Sequence, residues 1–264
     1  MATDIETLFE DLKAEGDELD GLVSGLSGAE WTRQTPAPRW TIAHQIAHLV
    51  WTDERTVLAV TDRAAFRDEV GRVLADIGGR VDKGADEGAA LPVADLLARW
   101  RSGRAAVLDA LRGVDPATKI EWFGPPMSPA SVATARLMET WAHGLDIAET
   151  LGMQPPVTPR LWHIAWIGAR TRDHAFTVNH LTPPSEPFRV ELIGPCGMTW
   201  SWGPADAACR VSGPVLDFCL LVTQRRHRAD TALVAVGAEA DQWLDIAQAF
   251  AGPPGAGREP GQFG

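Results

Sequence analysis

Four apolar-periodic stretches in the first 151 residues, cut off by Gly152 and the Pro155–Pro156 pair, do most to limit what this chain can fold into. In residues 4–26, Ile5, Leu8, Leu12, Leu19, Leu22, Val23 and Leu26 recur at three- and four-residue steps, the signature of one buried helix face. A second helix is predicted over TIAHQIAHLVWTDERTVLAV, opened by Thr41 and preceded by Trp40. A third covers 92–113 with Pro92 in its first turn, and a fourth covers 129–151 after Ser128. Between the second and third, residues 62–90 begin as a helix and then run into GGRVDKGADEGAA, which reads as a mobile loop. Long helices joined by loops define a four-helix bundle over 1–155.

The texture changes after residue 156. LWHIAWIGARTRDHAFTVNHL reads as one helix, and FRVELIGPCGMTWSWGP as two strands around a turn at Gly194–Gly197. A strand leading into a helix and a short apolar segment before a last helix follow. Residues 156–251 are therefore expected to form a small α+β domain, giving an α+β chain as a whole. The Gly/Pro-rich tail 252–264 has no means of packing as an element alone.

Composition narrows the function classes. The net charge is −11, and from residue 156 onward nine Arg nearly balance ten Asp and Glu, so the bundle carries almost all of it. Such a surface argues against nucleic acid or an anionic membrane as partner. The three cysteines, Cys196, Cys209 and Cys219, are an odd count without zinc-site spacing and read as small buried hydrophobes. With an acidic N-terminus lacking a signal-peptide pattern and no long apolar run, they point to a cytoplasmic protein.

The candidate chemistry sits in ARLMETWAHGLDIAETLG. Glu139 and His143 are four apart and Asp146 three further on, so all three share a helix face with Arg136. At about 100° per residue, Leu137, Trp141, Leu145 and Ala148 fall on the opposite, core-facing side. On the second helix, His44, His48, Trp51 and Arg55 cluster opposite Ile42, Ile46, Leu49, Val50 and Val57. If the two polar faces meet, His48 or His44 with Glu139 and His143 makes a two-histidine, one-carboxylate metal site with open positions. That site is expected at the edge of the bundle and not on its central axis. The plain alternative is two solvent-facing helix surfaces. Trp51 is a candidate pocket wall, whereas His163, His174, His180 and His227 read as structural or exposed.

PRWTIAHQIAHL resembles the tryptophan-to-histidine motif of the DinB-like metal-binding bundles, specifically their maleylpyruvate isomerase-like, mycothiol-dependent branch. The resemblance implies His48, Glu139 and His143 as metal ligands and Asp146 as a residue orienting a ligand. The C-terminal half resembles the sterol-carrier-like domain joined to these bundles, whose Gly-Pro, apolar helix and arginine fall on Gly213, Pro214 and Arg225. A glycine usually precedes that arginine, but Gln224 stands here, and Arg226 is a rival. The family implies a divalent metal (zinc, or nickel, iron or cobalt) and mycothiol as cosubstrate. The expected enzyme is a metal-dependent thiol transferase or isomerase, monomeric or homodimeric, with Arg225 and Asp146 in catalytic roles on a small electrophilic substrate. Two further readings of the same scaffold are a thiol-independent metal-dependent hydrolase, lyase or tailoring enzyme, and a non-catalytic metal or small-molecule binding protein.

Overall fold

The computed structural model of the chain describes residues 4–154 and 156–262. Pro155, part of the expected helix stop and domain boundary, lies outside the described residues, as do residues 1–3, 263 and 264. Two compact units result, Met1–Pro155 and Pro156–Gly264.

The first unit is built on four long helices: α1 (Ile5–Val23), α3 (Ile42–Thr61), α6 (Val93–Arg112) and α7 (Pro129–Thr150). A short α2 (Gly28–Trp31) precedes α3, and α4 (Arg63–Leu74) and α5 (Ile77–Ala89) lie between α3 and α6. Local chemistry sets their starts. The Ser128 hydroxyl accepts from the Ser131 amide at 3.2 Å, with Pro129 in the first turn of α7. Asp62 and Asp76 cap α4 and α5 by accepting from the amides of Ala65 and Gly79. The apolar stripes of α1, α3 and α6 meet around Trp31, Ile42, Ile46, Leu49, Leu96 and Trp100, all buried. Each such side chain contributes about 1.5–3 kcal/mol on burial.

The loop expected over 78–90 is instead almost wholly helix, α5. Glycine costs about 1 kcal/mol relative to alanine in a helix interior, so the local sequence disfavours this outcome. Tertiary packing reverses it, because α5 lies against α3 so closely that a side chain has no room. A Cβ at Gly84 would stand 2.2 Å from Cδ1 of Trp51, and one at Gly88 would stand 2.6 Å from the Cβ of Ala47. The glycines that weaken α5 alone are what allow it to dock.

In the second unit, the helix expected from 161 breaks at Thr171 into α8 (Leu161–Arg170) and α9 (Arg172–Val178). Strands β1 (Phe188–Ile193), β2 (Thr199–Trp202), β3 (Cys209–Pro214) and β4 (Val234–Val236) form one sheet in the order β2-β1-β3-β4. β1 pairs antiparallel with β2 across the expected turn and parallel with β3, and β3 pairs antiparallel with β4. Helix α10 (Val215–Val222) follows β3 and packs on α8, and α11 (Ala238–Ile246) follows β4. No disulfide links the three cysteines. Of these, Cys219 alone is fully buried, with its thiol pushed well up by burial. Cys196 is exposed at the β1–β2 turn, so the expectation of buried cysteines fails there. No described helix is long and apolar enough to cross a membrane.

The α3–α5 contact is open to a direct test. Alanine at Gly84 is expected to lower stability by about 1–3 kcal/mol, since the overlap with Trp51 outweighs the gain in helix propensity. Gly71→Ala, on exposed α4 with nothing within 4 Å of the added carbon, should instead be neutral or stabilising by about 1 kcal/mol. Urea unfolding followed by circular dichroism measures both.

Candidate functional site

The polar faces of α3 and α7 do meet. The His48 and His143 rings lie with centroids 4.6 Å apart, and His48 Nε2 is 3.9 Å from Glu139 Oε2. The His48 and Glu139 side chains are 12% and 23% exposed, which suits a site at an edge of the helical unit. Trp40 covers both imidazoles, with ring centroids 5.1 Å from His48 and 6.0 Å from His143. Trp51 stacks on His48 at 6.3 Å and itself carries the Arg55 guanidinium, 4.3 Å from the ring centre. Trp51 thus packs directly against His48 on the same face of α3.

Helix α5 supports these two indoles. Its Asp82 accepts from the Trp40 indole N–H at 3.0 Å, and its Asp86 lies 3.2 Å from His44 Nε2. His44 Nδ1 accepts from the Thr41 amide at 3.2 Å and lies 2.7 Å from the Thr41 hydroxyl. Both ring nitrogens of His44 are thereby engaged, one with Thr41 at the start of α3 and one with Asp86 on α5.

His143 is oriented by a residue the sequence reading passed over. Its Nδ1 is 2.5 Å from the Gln45 side-chain oxygen, while the Gln45 amide nitrogen donates to the Thr35 hydroxyl at 2.9 Å. That hydroxyl donates to the Trp40 carbonyl at 2.6 Å. Since the amide nitrogen faces Thr35, the oxygen must accept from His143. The Nδ1 proton of the imidazole is thereby fixed toward Gln45. Gln45 is fully buried. The available signal was a polar residue one turn before His48, set among the apolar Ile42, Ile46 and Leu49.

Glu139 is held from beneath. The Arg136 guanidinium donates to Glu139 Oε2 and, on its other side, from Nε to Asp53 Oδ1 at 3.1 Å, with Nη2 2.9 Å from the same oxygen in an ion pair. Arg136 and Asp53 are 3% and 5% exposed. Arg136 thus shares its helix face with Glu139 as expected, but it is buried, and so is Asp146. Burial pushes the Asp53 carboxyl up to about 6 against the pull of Arg136. Burial also opposes the charge on Arg136, yet the carboxylates of Asp53 and Glu139 more than offset it and hold the guanidinium above its usual range.

Two imidazoles and a carboxylate are the donor types of a divalent-metal site. Among the described residues, however, no group of three or more His, Cys, Asp or Glu side chains converges as a metal cluster does. Glu139 is turned to Arg136. Of the other candidates, Asp146 is buried on α7 one turn after His143, and Arg225 follows α10 in the second unit. Arg225 donates to the Thr223 carbonyl at 2.7 Å, and Arg226 to the Arg225 carbonyl at 2.8 Å. Gln224, standing where the family has glycine, is held at φ 58°, a left-handed conformation that favours glycine.

These features define a helical bundle with an imidazole–carboxylate face, joined to an α+β unit. Residues 12–148 match the family described as the mycothiol maleylpyruvate isomerase N-terminal domain, and the chain belongs to that family. Residues 184–236 match a second family, described as wyosine base formation. Two uncharacterized proteins of Mycobacterium tuberculosis, from strains CDC 1551 / Oshkosh and ATCC 25618 / H37Rv, are each 58% identical over 248 residues, covering 94% of this chain and 96% of theirs. The crystal structure of the mycothiol-dependent maleylpyruvate isomerase matches with a TM-score of 0.59 at 15% identity, over 88% of this chain and 93% of that one. A histidine-to-alanine mutant of that isomerase matches over the same shares, with a TM-score of 0.58 at 14% identity. At that identity the likeness establishes the shared fold.

Asp53→Ala is expected to destabilise the chain by about 3–5 kcal/mol in urea unfolding, because Arg136 is left buried with half its partners. The pH dependence has a definite sign. With the Asp53 pKa raised from 3.8 to about 6, the folded chain holds a proton in that window that the unfolded chain releases. This contribution is full below pH about 3.8 and is lost as pH rises through about 6. The stability advantage of the wild type over Asp53→Asn should therefore shrink across that interval. A constant difference would contradict it.

Proposed function

We propose that this chain is a metal-dependent enzyme that activates a low-molecular-weight thiol, mycothiol, for transfer to, or isomerisation of, a small electrophilic substrate. The observation that carries the reading is the contact of His48 on α3 with both His143 and Glu139 on α7, with the His143 Nδ1 proton held by Gln45. Membership of the mycothiol maleylpyruvate isomerase family supports the thiol.

His48, Glu139 and His143 would hold the ion, zinc by donor type, with nickel, iron and cobalt as alternatives. Once bound, such an ion lowers the pKa of a thiol and so supplies a nucleophile at neutral pH. The chain's own residues do the rest. Gln45 orients the His143 ring through Nδ1, so that Nε2 would be the nitrogen offered to an ion, and Arg136 positions the Glu139 carboxylate, which must turn from the guanidinium to take up a ligand role. Trp40 and Trp51 form apolar walls that limit water around the imidazoles. Asp146 orients a ligand group. Arg225 supplies a planar pair of N–H donors suited to a substrate carboxylate.

Elemental analysis of the purified chain should find about one divalent ion per chain, lost in His48→Ala and in Glu139→Ala; unchanged content in both removes the site. Gln45→Leu is expected to weaken zinc binding by about 10- to 100-fold while the circular dichroism spectrum is kept. Calorimetric titration of the metal-loaded chain with mycothiol should give measurable heat. Absence of binding at millimolar thiol would exclude the thiol-dependent reaction while leaving a metal site intact.

A further inference from the structure

A cavity of about 240 Å³ lies among α1, α3, α6 and α7. Its lining includes both members of the Arg136–Asp53 pair but neither His48, Glu139 nor His143. Leu12, Trp100, Val107 and Leu108 are buried around it. Lys13, Arg101 and Ala105 also line it and are exposed, so it opens to solvent beside them. Glycine is needed on α1, because a Cβ at Gly16 would stand 2.9 Å from Arg104 Nη1 and push that guanidinium aside.

Two polar atoms of the lining are left over. Asp53 Oδ1 takes both contacts from Arg136, and Oδ2 accepts no hydrogen bond from the described residues, although the Asp53 side chain is only 5% exposed. Gly103 of α6 faces Oδ2, since a Cβ there would stand 3.8 Å from it, and brings no side chain to bond it. Arg104 Nη1 donates to Asp17 at 2.7 Å and Nη2 to Asp20 at 3.0 Å, whereas its buried Nε–H meets no acceptor among the described residues. Burial raises the Asp53 carboxyl, and Arg104 is close enough to be among the charges that pull it back down. A buried acceptor and a buried donor without partners are costly, so a partner from outside the chain is favoured. Water suits the space poorly, because each ordered water needs about two to four polar partners and most of this wall is carbon. The charges cancel: Lys13 pairs with Asp17, Arg101 with Asp20, Arg104 with both, and Arg136 with Asp53 and Glu139. With no surplus of either sign, the complement of one acceptor and one donor is a neutral head that both donates and accepts.

We propose that this cavity binds a small neutral molecule with an apolar body and a carboxamide-type head, whose N–H donates to Asp53 Oδ2 and whose carbonyl accepts from Arg104 Nε. The volume is sufficient, since a cavity of roughly 150 Å³ takes up benzene. The site is separate from the imidazole–carboxylate face and rests on neither the metal nor the thiol.

The test is calorimetric titration of the full chain with three probes at pH about 7.5, above the Asp53 value of about 6, where its carboxylate only accepts. Benzamide carries the proposed head. Acetophenone keeps the ring and carbonyl but lacks the N–H, and benzylammonium replaces the head with a cation. Benzamide should bind saturably at millimolar concentration or below, and each of the other two should bind weaker by about tenfold or more. Ala105→Trp, at the exposed opening, should weaken benzamide by about tenfold while the urea unfolding midpoint is kept. Asp53→Asn offers an N–H where Oδ2 stood and should bring acetophenone level with benzamide or above it; the wild-type comparison and Ala105→Trp decide the matter if that variant does not fold. The metal content of the chain bears on none of these readings. No saturable benzamide binding at millimolar concentration, equal affinity for acetophenone in the wild type, tighter binding of benzylammonium, or undiminished binding in Ala105→Trp would each overturn the proposal.

Discussion

A guanidinium buried between two helices is the contact on which the site depends. Arg136 reaches from α7 to Asp53 on α3 with a hydrogen bond inside an ion pair and to Glu139 on its own helix with a second hydrogen bond. Taking such charges out of water costs several kcal/mol per ion, and geometry alone recovers it. The pair is therefore poor evidence of stability but strong evidence of register. Sliding α7 by one residue along α3 would leave a buried arginine facing no carboxylate. With the register held, Gln45 and His48 on α3 stand opposite His143 on α7, and the imidazole faces are within contact.

The second constraint acts from outside the pair. Helix α5 has a poor sequence for a helix and lies where it does because Gly84 and Gly88 admit Trp51 and Ala47. Through Asp82 and Asp86 it then holds Trp40 and His44, and through Trp51 it backs His48. A stretch that looks like a linker thus supports the aromatic rings around His48. The tail of the second unit behaves likewise, since chain with no periodicity becomes ordered by Gln248 and Asp230 and not by its own composition.

Legibility in the sequence followed the range of the interactions. The starts and ends of α1, α3, α6 and α7 were readable to within a few residues, because apolar spacing, Ser128–Pro129 and Gly152 are local signals. The strands around the Gly194–Gly197 turn were readable for the same reason. His48, Glu139 and His143 could be singled out by i,i+4 spacing and by resemblance, and Trp51 by its place beside His48. Gln45, Asp53, Asp82 and Asp86 could not, since each acts on a residue at least 42 positions away, apart from the Gln45–Thr35 bond. The helical wheel placed Arg136 and Asp146 on the right face of α7 but could not say that this face is covered.

By itself, then, the sequence determined the helices of the first unit, the change to an α+β texture after residue 156, and the two polar faces carrying metal-type side chains. These follow from periodicity and caps, which each segment holds on its own. Only the tertiary structure decided that the faces meet and that the His143 Nδ1 proton points to Gln45. It also decided that Glu139 rests on a buried arginine and that the glycine-rich 77–89 segment is a helix. Those outcomes depend on desolvation, close backbone approach and hydrogen-bond direction, and none exists until distant parts of the chain are brought together.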